Sequence, residues 1–320
     1  MKKFLIKLII FMLPLLIVAY PLDCMISYYL GETNAYLGEF EVWSDIYNSN
    51  ANCDIAVYGS SRCWVHINPT ILSDSLKSKV YNFGIDGHNF WLQYLRHLEF
   101  IKHNNKPKTI ILSLDIFTLQ KIDYLYQLNQ FIPYMLWNSN IKKYTSSYVG
   151  YNYFDYYIPI VRYSGKINLL KIIIKSIFTN QYSDPLRNNG FAGMEKKWNN
   201  DLETAMLNKD SYYVKLDSSS ILLFDRFIKE CKKNNIELIF VYTPEFIEGQ
   251  KFVSNRDEVI KIFEKVSSEY SIDFYNYSND TICFNKKYFY NANHLNKTGA
   301  EIFSKDFANK IKSRRHKNYK

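Results

Sequence analysis

The sequence predicts a three-layer α/β/α domain built on a five-stranded parallel sheet. Short apolar runs alternate with segments of helical period, and polar residues follow the ends of several runs. The chain is also large enough, because 320 residues that are 47% hydrophobic can bury one sizeable core. Alternation of this kind is typical of parallel sheets with helices on both faces.

The predicted elements follow one another along the chain. The strands are expected at Ile55–Tyr58, Val80–Phe83, Thr109–Leu114, Ile236–Tyr242 and Ile272–Asn276. The helices, where apolar residues recur every three to four positions, are expected at about His88–His103, Ser219–Lys233, Asn255–Tyr270 and Gly299–Ile311. A capping box of Thr298 and Glu301 is expected to begin the last helix.

The N-terminal stretch Phe4–Leu22 is apolar except for Lys7. About 20 apolar residues span a bilayer, and no small-residue cleavage site follows. We therefore predict an uncleaved transmembrane signal-anchor over residues 1–23. The positive-inside rule keeps Met1–Lys3 in the cytoplasm and places the remainder outside the cell membrane. The alternative is a buried N-terminal core helix.

The domain boundaries follow from the same patterns. Residues 24–52 are predicted to be a tether, and residues 53–320 to form the α/β domain with an insertion at about 120–216. The insertion lacks strand–helix alternation, and its segment Tyr144–Tyr157 contains six tyrosines. These aromatic residues either pack the insertion onto the core or form a stacking platform for sugar rings.

Charge and cysteine content exclude several classes of protein. The net charge of +9 lies largely at the chain ends, and no nucleic-acid-binding motif accompanies it, so no nucleic-acid partner is predicted. The basic end Lys312–Lys320 is expected to be solvated or to touch anionic lipid or polysaccharide. The five cysteines show neither a disulfide framework nor zinc spacing, so we expect free thiols, no metal and no cofactor.

Four polar features fall at the carboxyl edge of the predicted sheet, where ligands bind in doubly wound folds. Ser61 follows the first strand, Gly87 lies in a turn after the second, Asp115 follows the third and His294 lies in a loop before the last helix. A serine nucleophile needs a base to accept its proton. Ser61 and His294 are therefore candidates for catalysis, and the backbone N–H groups of Ser61 and Gly87 for stabilising an oxyanion.

The stretch "GSSR" after the first strand, the glycine turn after the second and "NxxHLNxxG" before the last helix resemble the SGNH (GDSL-like) hydrolase superfamily. The pattern is most similar to membrane-anchored bacterial members linked to cell-surface polysaccharide. The resemblance covers about residues 54–119 and 219–310, and not the insertion. It implies a flavodoxin-like fold, Ser61 as nucleophile, Gly87 as an oxyanion donor and His294 as general base.

The chain departs from that family at two positions. Asn291 stands where the family usually has an aspartate that orients the histidine, and Asp115 lies nearest the place of an oxyanion-hole asparagine. Aspartate-to-asparagine replacement costs a serine protease about 10⁴ in rate through the wrong tautomer. An asparagine carbonyl can nevertheless accept from a histidine N–H, and a backbone carbonyl, Asp86 or Asp115 could also orient the ring.

Two further residues near the serine are candidates for substrate binding. Arg62 either forms a salt bridge at the domain surface, binds an acidic group of the substrate or orders the serine loop. Asn89 closes the segment that carries the glycine turn and is assigned to substrate binding.

These features favour an esterase or acyl transferase, most simply for O-acetyl groups of cell-envelope or extracellular polysaccharide. By family analogy its partner is a membrane-bound O-acyltransferase. The alternative is a catalytically weak or inactive protein of the same fold that binds glycan or scaffolds such a complex. An α/β-hydrolase is disfavoured because no GxSxG occurs, and a nucleotide-binding domain because "GSSRCW" lacks further glycines.

Overall fold

The computed structural model describes residues 2–179 and 185–318. Five parallel strands form one sheet with the order β2-β1-β3-β4-β5, as in flavodoxin-like folds. This confirms the predicted fold class. The strands are β1 (Ile55–Tyr58), β2 (Val80–Asn82), β3 (Thr109–Leu114), β4 (Glu237–Tyr242) and β5 (Asp273–Asn276), and a separate two-stranded hairpin consists of β6 (Phe289–Asn291) and β7 (His294–Leu295).

Eight α-helices accompany these strands in one of the chain's two compact units, which comprises residues 45–122 and 187–320 and is described here as far as residue 318. They are α3 (Ser61–His66), α4 (Pro69–Leu76), α5 (Phe90–His103), α8 (Asp201–Asn208), α9 (Ser218–Lys233), α10 (Ile247–Lys251), α11 (Arg256–Tyr270) and α12 (Lys297–Asn318).

The sheet is buried between two layers of helices. On one face, Ile55 and Val57 of β1 pack in a single cluster with Phe303 of α12. Alternate residues of a strand point to opposite faces, and on the other face Phe240 of β4 contacts Phe224 of α9. All residues of β1, β2 and β3 are buried, which explains why these strands read as continuous apolar runs.

The last helix begins earlier than the sequence suggested. It starts at Lys297, and the Asn296 side chain accepts a hydrogen bond from the backbone N–H of Gly299 at 3.0 Å. The expected capping box of Thr298 and Glu301 therefore lies inside the helix, because an asparagine two positions before Thr298 already caps it. Of the predicted basic end, Tyr319 and Lys320 lie outside the described residues.

The second compact unit, here called unit 1, comprises residues 1–44 and 123–186 and is described for residues 2–44, 123–179 and 185–186. The expected tether over residues 24–52 is instead largely helical, and the compact part of the expected insertion is residues 123–186 rather than 120–216. Its α-helices are α1 (Lys2–Gly31), α6 (Ser139–Thr145) and α7 (Ile167–Thr179), and α2 (Ala35–Tyr47) begins within it.

A buried ion pair ties α1 to the rest of unit 1. Both carboxylate oxygens of Asp23 accept from the Arg162 guanidinium, at 2.6 and 2.5 Å, and Oδ2 also accepts from the backbone N–H of Ile160 at 2.6 Å. The Arg162 Nε–H donates to the Ile132 carbonyl at 2.7 Å. A bidentate pair with further hydrogen bonds satisfies two charges that are costly to bury alone.

The N-terminal helix also has the composition of a membrane span. Among the described residues, Ile10–Gly31 of α1 is long and apolar enough to cross a bilayer, by length and composition. Met1, the first residue of the end that is predicted to be cytoplasmic, lies outside the described residues. The orientation in the membrane stays a prediction.

Candidate active site

Ser61 begins α3 directly beyond the carboxyl end of β1. A Cβ on Gly59 would lie 2.5 Å from Cys63 Cβ and 2.8 Å from Ser113 Cβ, so the turn requires glycine. Ser60 caps α3, because its Oγ accepts from the backbone N–H of Arg62 at 3.3 Å. Together these contacts place the Ser61 side chain at the edge of the sheet rather than in its core.

Ser61 and His294 lie in hydrogen-bonding distance although they are 233 positions apart in the chain. The distance from Ser61 Oγ to His294 Nε2 is 2.8 Å, and the other ring nitrogen, Nδ1, lies 2.9 Å from Asn291 Oδ1. The hairpin β6–β7 supplies both Asn291 and His294. The structure thus brings together the three residues that the sequence assigned to catalysis, and their roles stay predictions.

The Asn291 amide is held with its oxygen toward the histidine. Besides the ring, Oδ1 faces the backbone N–H groups of Asn293 at 3.1 Å and His294 at 2.9 Å, and only the oxygen of an amide can accept from them. Nδ1 must therefore carry the proton, which leaves Nε2 of His294 free to accept from Ser61. Asn291 therefore fixes the tautomer of His294 without supplying a charge.

A second histidine, His66, positions this loop and was missed in the sequence. It is fully buried at the end of α3, and its Nε2 accepts from the backbone N–H of Leu295 at 2.9 Å. Its Nδ1–H therefore donates to Thr243 Oγ1, also at 2.9 Å. Burial lowers the pKa of His66 well below its usual value, and Arg62 adds to this, so the ring stays neutral.

Desolvation also lowers the pKa of His294, and together with the charges of Arg62 and Lys196 it brings this pKa to about 3. Among the described residues, no carboxylate hydrogen-bonds to the ring. The imidazole is therefore the free base at neutral pH. It is ready to accept a proton, but it is a weaker base than a histidine that is paired with aspartate.

This shift predicts an unusual pH dependence. The rate at which a fluorophosphonate modifies Ser61 should change less than about twofold between about pH 5 and about pH 7.5, whereas a histidine of ordinary pKa would lose about thirtyfold over that range. Labelling rates at matched ionic strength measure this directly. An acid limb near the usual histidine pKa would contradict the lowered pKa of His294.

The lowered pKa of His294 also makes folding stability depend on pH. The direction is opposite to that for a histidine in an ion pair, whose pKa is raised on folding. Below the ordinary histidine pKa the unfolded chain takes up a proton at this position that the folded chain does not, so folding stability falls as the pH falls.

Asp115 hydrogen-bonds to Ser60, and among the described residues none of its hydrogen bonds involves Ser61. Its Oδ2 accepts from Ser60 Oγ at 2.5 Å and its Oδ1 from the backbone N–H of Phe117 at 2.8 Å. Burial raises the pKa of this carboxyl above its ordinary value. With both oxygens engaged, Asp115 orders the serine turn, and these contacts do not favour a place for it in the oxyanion hole, where the family has an asparagine.

Arg62 is buried, which contradicts the expected salt bridge at the domain surface. Its Nη1 donates to Glu245 Oε1 at 2.7 Å, its Nη2 donates to the Thr243 carbonyl, and its guanidinium lies 4.8 Å from the Tyr242 ring centroid. These contacts hold the helix of Ser61 to the chain that follows β4. They favour ordering of the serine loop over contact with substrate.

Replacing Arg62 by methionine is expected to lower the free energy of unfolding by about 3 kcal/mol, because a buried carboxylate loses a partner. The matched control is Lys265→Met, whose ion pair with Glu269 at 3.7 Å is exposed and should change stability by less than about 1 kcal/mol. Urea unfolding followed by tryptophan fluorescence measures both. Equal urea midpoints for the two variants would mean that the buried ion pair of Arg62 stabilises the fold no more than the exposed pair of Lys265 does.

The predicted oxyanion donors are available for a ligand. Within residues 2–179 and 185–318, the backbone N–H groups of Ser61 and Gly87 have no hydrogen-bond acceptor, and Gly87 has the positive φ of 68° that glycine tolerates. Asn89 is buried, and its Nδ2 has no acceptor in that part of the chain either. Its assignment to substrate binding stays a prediction.

Two residues that the sequence did not indicate as part of the site lie near His294. The Tyr290 ring stacks on His294 with centroids 5.3 Å apart and planes 8° apart, and Lys196 Nζ lies 5.5 Å from the Tyr290 centroid. Tyr290 is visible in the sequence as part of "YFYNANH", but its stacking depends on the hairpin. The fold and the site together define an α/β protein with a serine–histidine–asparagine constellation at the carboxyl edge of its sheet.

No protein-family model and no curated protein matches the chain. The solved structures that are similar to it include the three named next, each with its sequence identity, the share of this chain and the share of that chain that are covered, and the TM-score. A lipolytic protein from Desulfitobacterium hafniense, provisionally assigned to the G-D-S-L family, is 12% identical; 80% of this chain and 98% of that chain are covered, and the TM-score is 0.37. A GDSL-like lipase from Bacteroides thetaiotaomicron is 11% identical, with 84% of this chain and 98% of that chain covered and a TM-score of 0.36. A provisionally assigned acylhydrolase from Bacteroides fragilis is 11% identical, with 80% and 86% covered and a TM-score of 0.33. At sequence identities of 11–12% and these TM-scores, the similarity does not assign an activity to this chain.

Proposed function

We propose that this protein is a membrane-anchored serine esterase or acyl transferase that acts on O-acyl groups, most simply acetyl, of cell-envelope or extracellular polysaccharide. The observation that carries the proposal is the hydrogen-bonded series Ser61–His294–Asn291, in which the amide orientation leaves His294 Nε2 as the acceptor. A serine with a positioned base and an oriented histidine is the arrangement that acyl transfer requires.

The reaction follows from these positions. Ser61 Oγ attacks the acyl carbonyl carbon while its proton passes to His294 Nε2, and the N–H groups of Ser61 and Gly87 stabilise the oxyanion. The ester C–O bond then breaks, and the proton moves from Nε2 to the departing sugar oxygen. Water or a second hydroxyl group then attacks the carbonyl carbon of the acyl-enzyme and gives its proton to Nε2. The bond from this carbon to Ser61 Oγ breaks, Oγ takes the proton back from Nε2, and the carboxylic acid or the new ester is released.

A small cavity next to the histidine loop supports the proposed short acyl group. Asn291 and Asn293 form part of the wall of a cavity of about 190 Å³. Much of the remaining wall is apolar, and it includes Ile116, Phe117, Leu202, Ala205, Phe252 and Val253. A cavity of this size, with a wall that is largely apolar but includes Asp201 and the two asparagines, suits a short acyl chain.

The proposal is tested by activity-based labelling of the full chain in detergent. A fluorophosphonate should modify Ser61, identified by peptide mass spectrometry, and His294→Ala should prevent it. Ser219→Ala, at an exposed serine on α9, is the matched control and should label like the unmodified protein. Folded protein that takes no label would overturn the enzyme proposal.

The second candidate is a catalytically weak or inactive protein that binds glycan or scaffolds a complex with a membrane-bound O-acyltransferase. Two observations favour it: Asn291 supplies no charge to stabilise an imidazolium, and the pKa of His294 is lowered to about 3. It predicts binding of acylated glycan by protein that fails to label.

A further inference from the structure

Helix α7 of unit 1 is apolar on more than one face. Leu169 and Ile173 are buried, yet Ile167, Ile174 and Phe178 on the opposite side are 64%, 54% and 84% exposed. Residues seven and eleven positions apart lie on one side of a helix, so the three exposed side chains form one stripe. A short helix with apolar residues on both faces is not typical of one that borders water.

The neighbour of α7 within unit 1 is the predicted membrane anchor, because α7 packs against α1. Large apolar side chains are exposed along α1 itself, among them Phe4, Ile10, Phe11, Leu15, Ile17, Val18 and Leu22. The exposed stripe of α7 is thus part of a unit whose other long helix also presents an apolar surface.

An aromatic pair marks where α1 would leave the hydrocarbon. From Phe4 to Leu22 the helix is about 27 Å long, close to the thickness of a bilayer core. Near the end of this stretch the Tyr20 ring stacks on Trp137 with centroids 5.2 Å apart, and Trp137 remains exposed. Tryptophan and tyrosine are enriched at the membrane–water interface.

A basic groove lies beside the same tryptophan. This cavity has a volume of about 410 Å³, and Trp137, Lys142, Lys143 and Tyr157 form part of its wall. Lys142 Nζ donates to Tyr157 Oη at 2.6 Å, and within the described ranges neither Lys142 nor Lys143 forms an ion pair with a carboxylate. Two uncompensated cations next to interfacial aromatic rings suit anionic lipid headgroups.

We propose that unit 1 is a bilayer-docking module. The exposed stripe of α7 enters the outer part of the lipid layer alongside α1, and the groove with Lys142 and Lys143 receives anionic phospholipid headgroups. The proposal rests on the membrane anchoring by α1 in the proposed function. It gives the tyrosine-rich segment a role other than sugar stacking: Tyr144, Tyr148 and Tyr156 are buried within unit 1, while Tyr153 and Tyr157 are exposed.

The test places an environment-sensitive fluorophore on α7 of the full chain in vesicles. Cys24 is the exposed cysteine, so Cys24→Ser gives a background in which the buried thiols stay unlabelled. Phe178→Cys carries the probe, and Leu207→Cys, at an 87% exposed apolar residue of α8, is the matched control. Brominated lipid should quench the probe at 178 severalfold more than the probe at 207.

Charge is tested in the same vesicles. Phosphatidylglycerol should increase quenching at 178 relative to phosphatidylcholine alone, and Lys142→Gln with Lys143→Gln should remove that increase.

Three outcomes would contradict the proposal. If aqueous iodide quenches the probe at 178 as strongly as the probe at 207, and the chain resists carbonate extraction, the docking of α7 alone is overturned. Concentration-dependent self-quenching at 178 without lipid quenching would overturn it in favour of a second copy. Chain released by carbonate would overturn the anchor and the docking together, while Ser61 labelling would be unaffected.

Discussion

Alanine at Ser61 or at His294 is expected to lower kcat for hydrolysis of a short-chain aryl ester by at least about 10³-fold. The two side chains share one hydrogen bond, 2.8 Å long between Oγ and Nε2, and act as a unit. The double variant should therefore be about as slow as either single variant. Steady-state kinetics of the purified full chain measures all three.

The exposed serine on α9 provides the control for this experiment, since Ser219→Ala removes a hydroxyl without touching the site. Circular dichroism shows whether each variant is folded. Unchanged hydrolysis by Ser61→Ala would mean that another group is the nucleophile. Additive losses in the double variant would mean that Ser61 and His294 do not exchange a proton.

Changes at Asn291 are expected to act in opposite directions. Asn291→Ala removes the acceptor of His294 Nδ1–H, which now lies at 2.9 Å, and should lower the rate by about 10² because the tautomer is no longer fixed. Asn291→Asp keeps the acceptor and adds a charge. A charged hydrogen bond exceeds a neutral one by about 1 kcal/mol, which predicts a gain of roughly fivefold at neutral pH.

The pH profile distinguishes this explanation from a simple packing effect. A carboxylate at Asn291 favours the imidazolium, so it raises the pKa of His294 from about 3 and moves the acid limb of the rate to higher pH. A gain in rate with an unmoved acid limb would contradict the electrostatic account. Equal rates for both variants and the unmodified protein would exclude Asn291 from orienting the ring.

The catalytic candidates could be predicted because parallel strands end at a common edge. Ser61 follows a buried strand and His294 precedes the last helix, and both places can be read from apolar runs. The orientation of the Asn291 amide could not be predicted, because it depends on the two backbone N–H groups of the β6–β7 hairpin. A sequence shows the residue type at that position and not which atom of the amide faces the ring.

The positions of Arg62 and His66 could not be predicted for a different reason, namely that their partners lie far away in the sequence. The partner of Arg62 is Glu245, which lies 183 positions away in the chain, and no local pattern connects them. A charged residue beside a serine therefore reads equally well as a surface or a substrate-binding group. His66 stands on a short helix, where a polar residue is usually solvated, and its burial depends on Thr243 and the loop at Leu295.

The Asp23–Arg162 pair couples the N-terminal helix to the folding of unit 1. Proteolytic removal of α1, or its exchange for an unrelated leader helix, would leave a buried guanidinium without its counter-ion, a loss of about 3–5 kcal/mol for a pair of this kind. During biosynthesis the aspartate emerges 139 residues before its partner. Unit 1 can thus complete its fold only after most of residues 123–186 have been synthesised, and a truncation that begins after Gly31 would not reproduce its native structure.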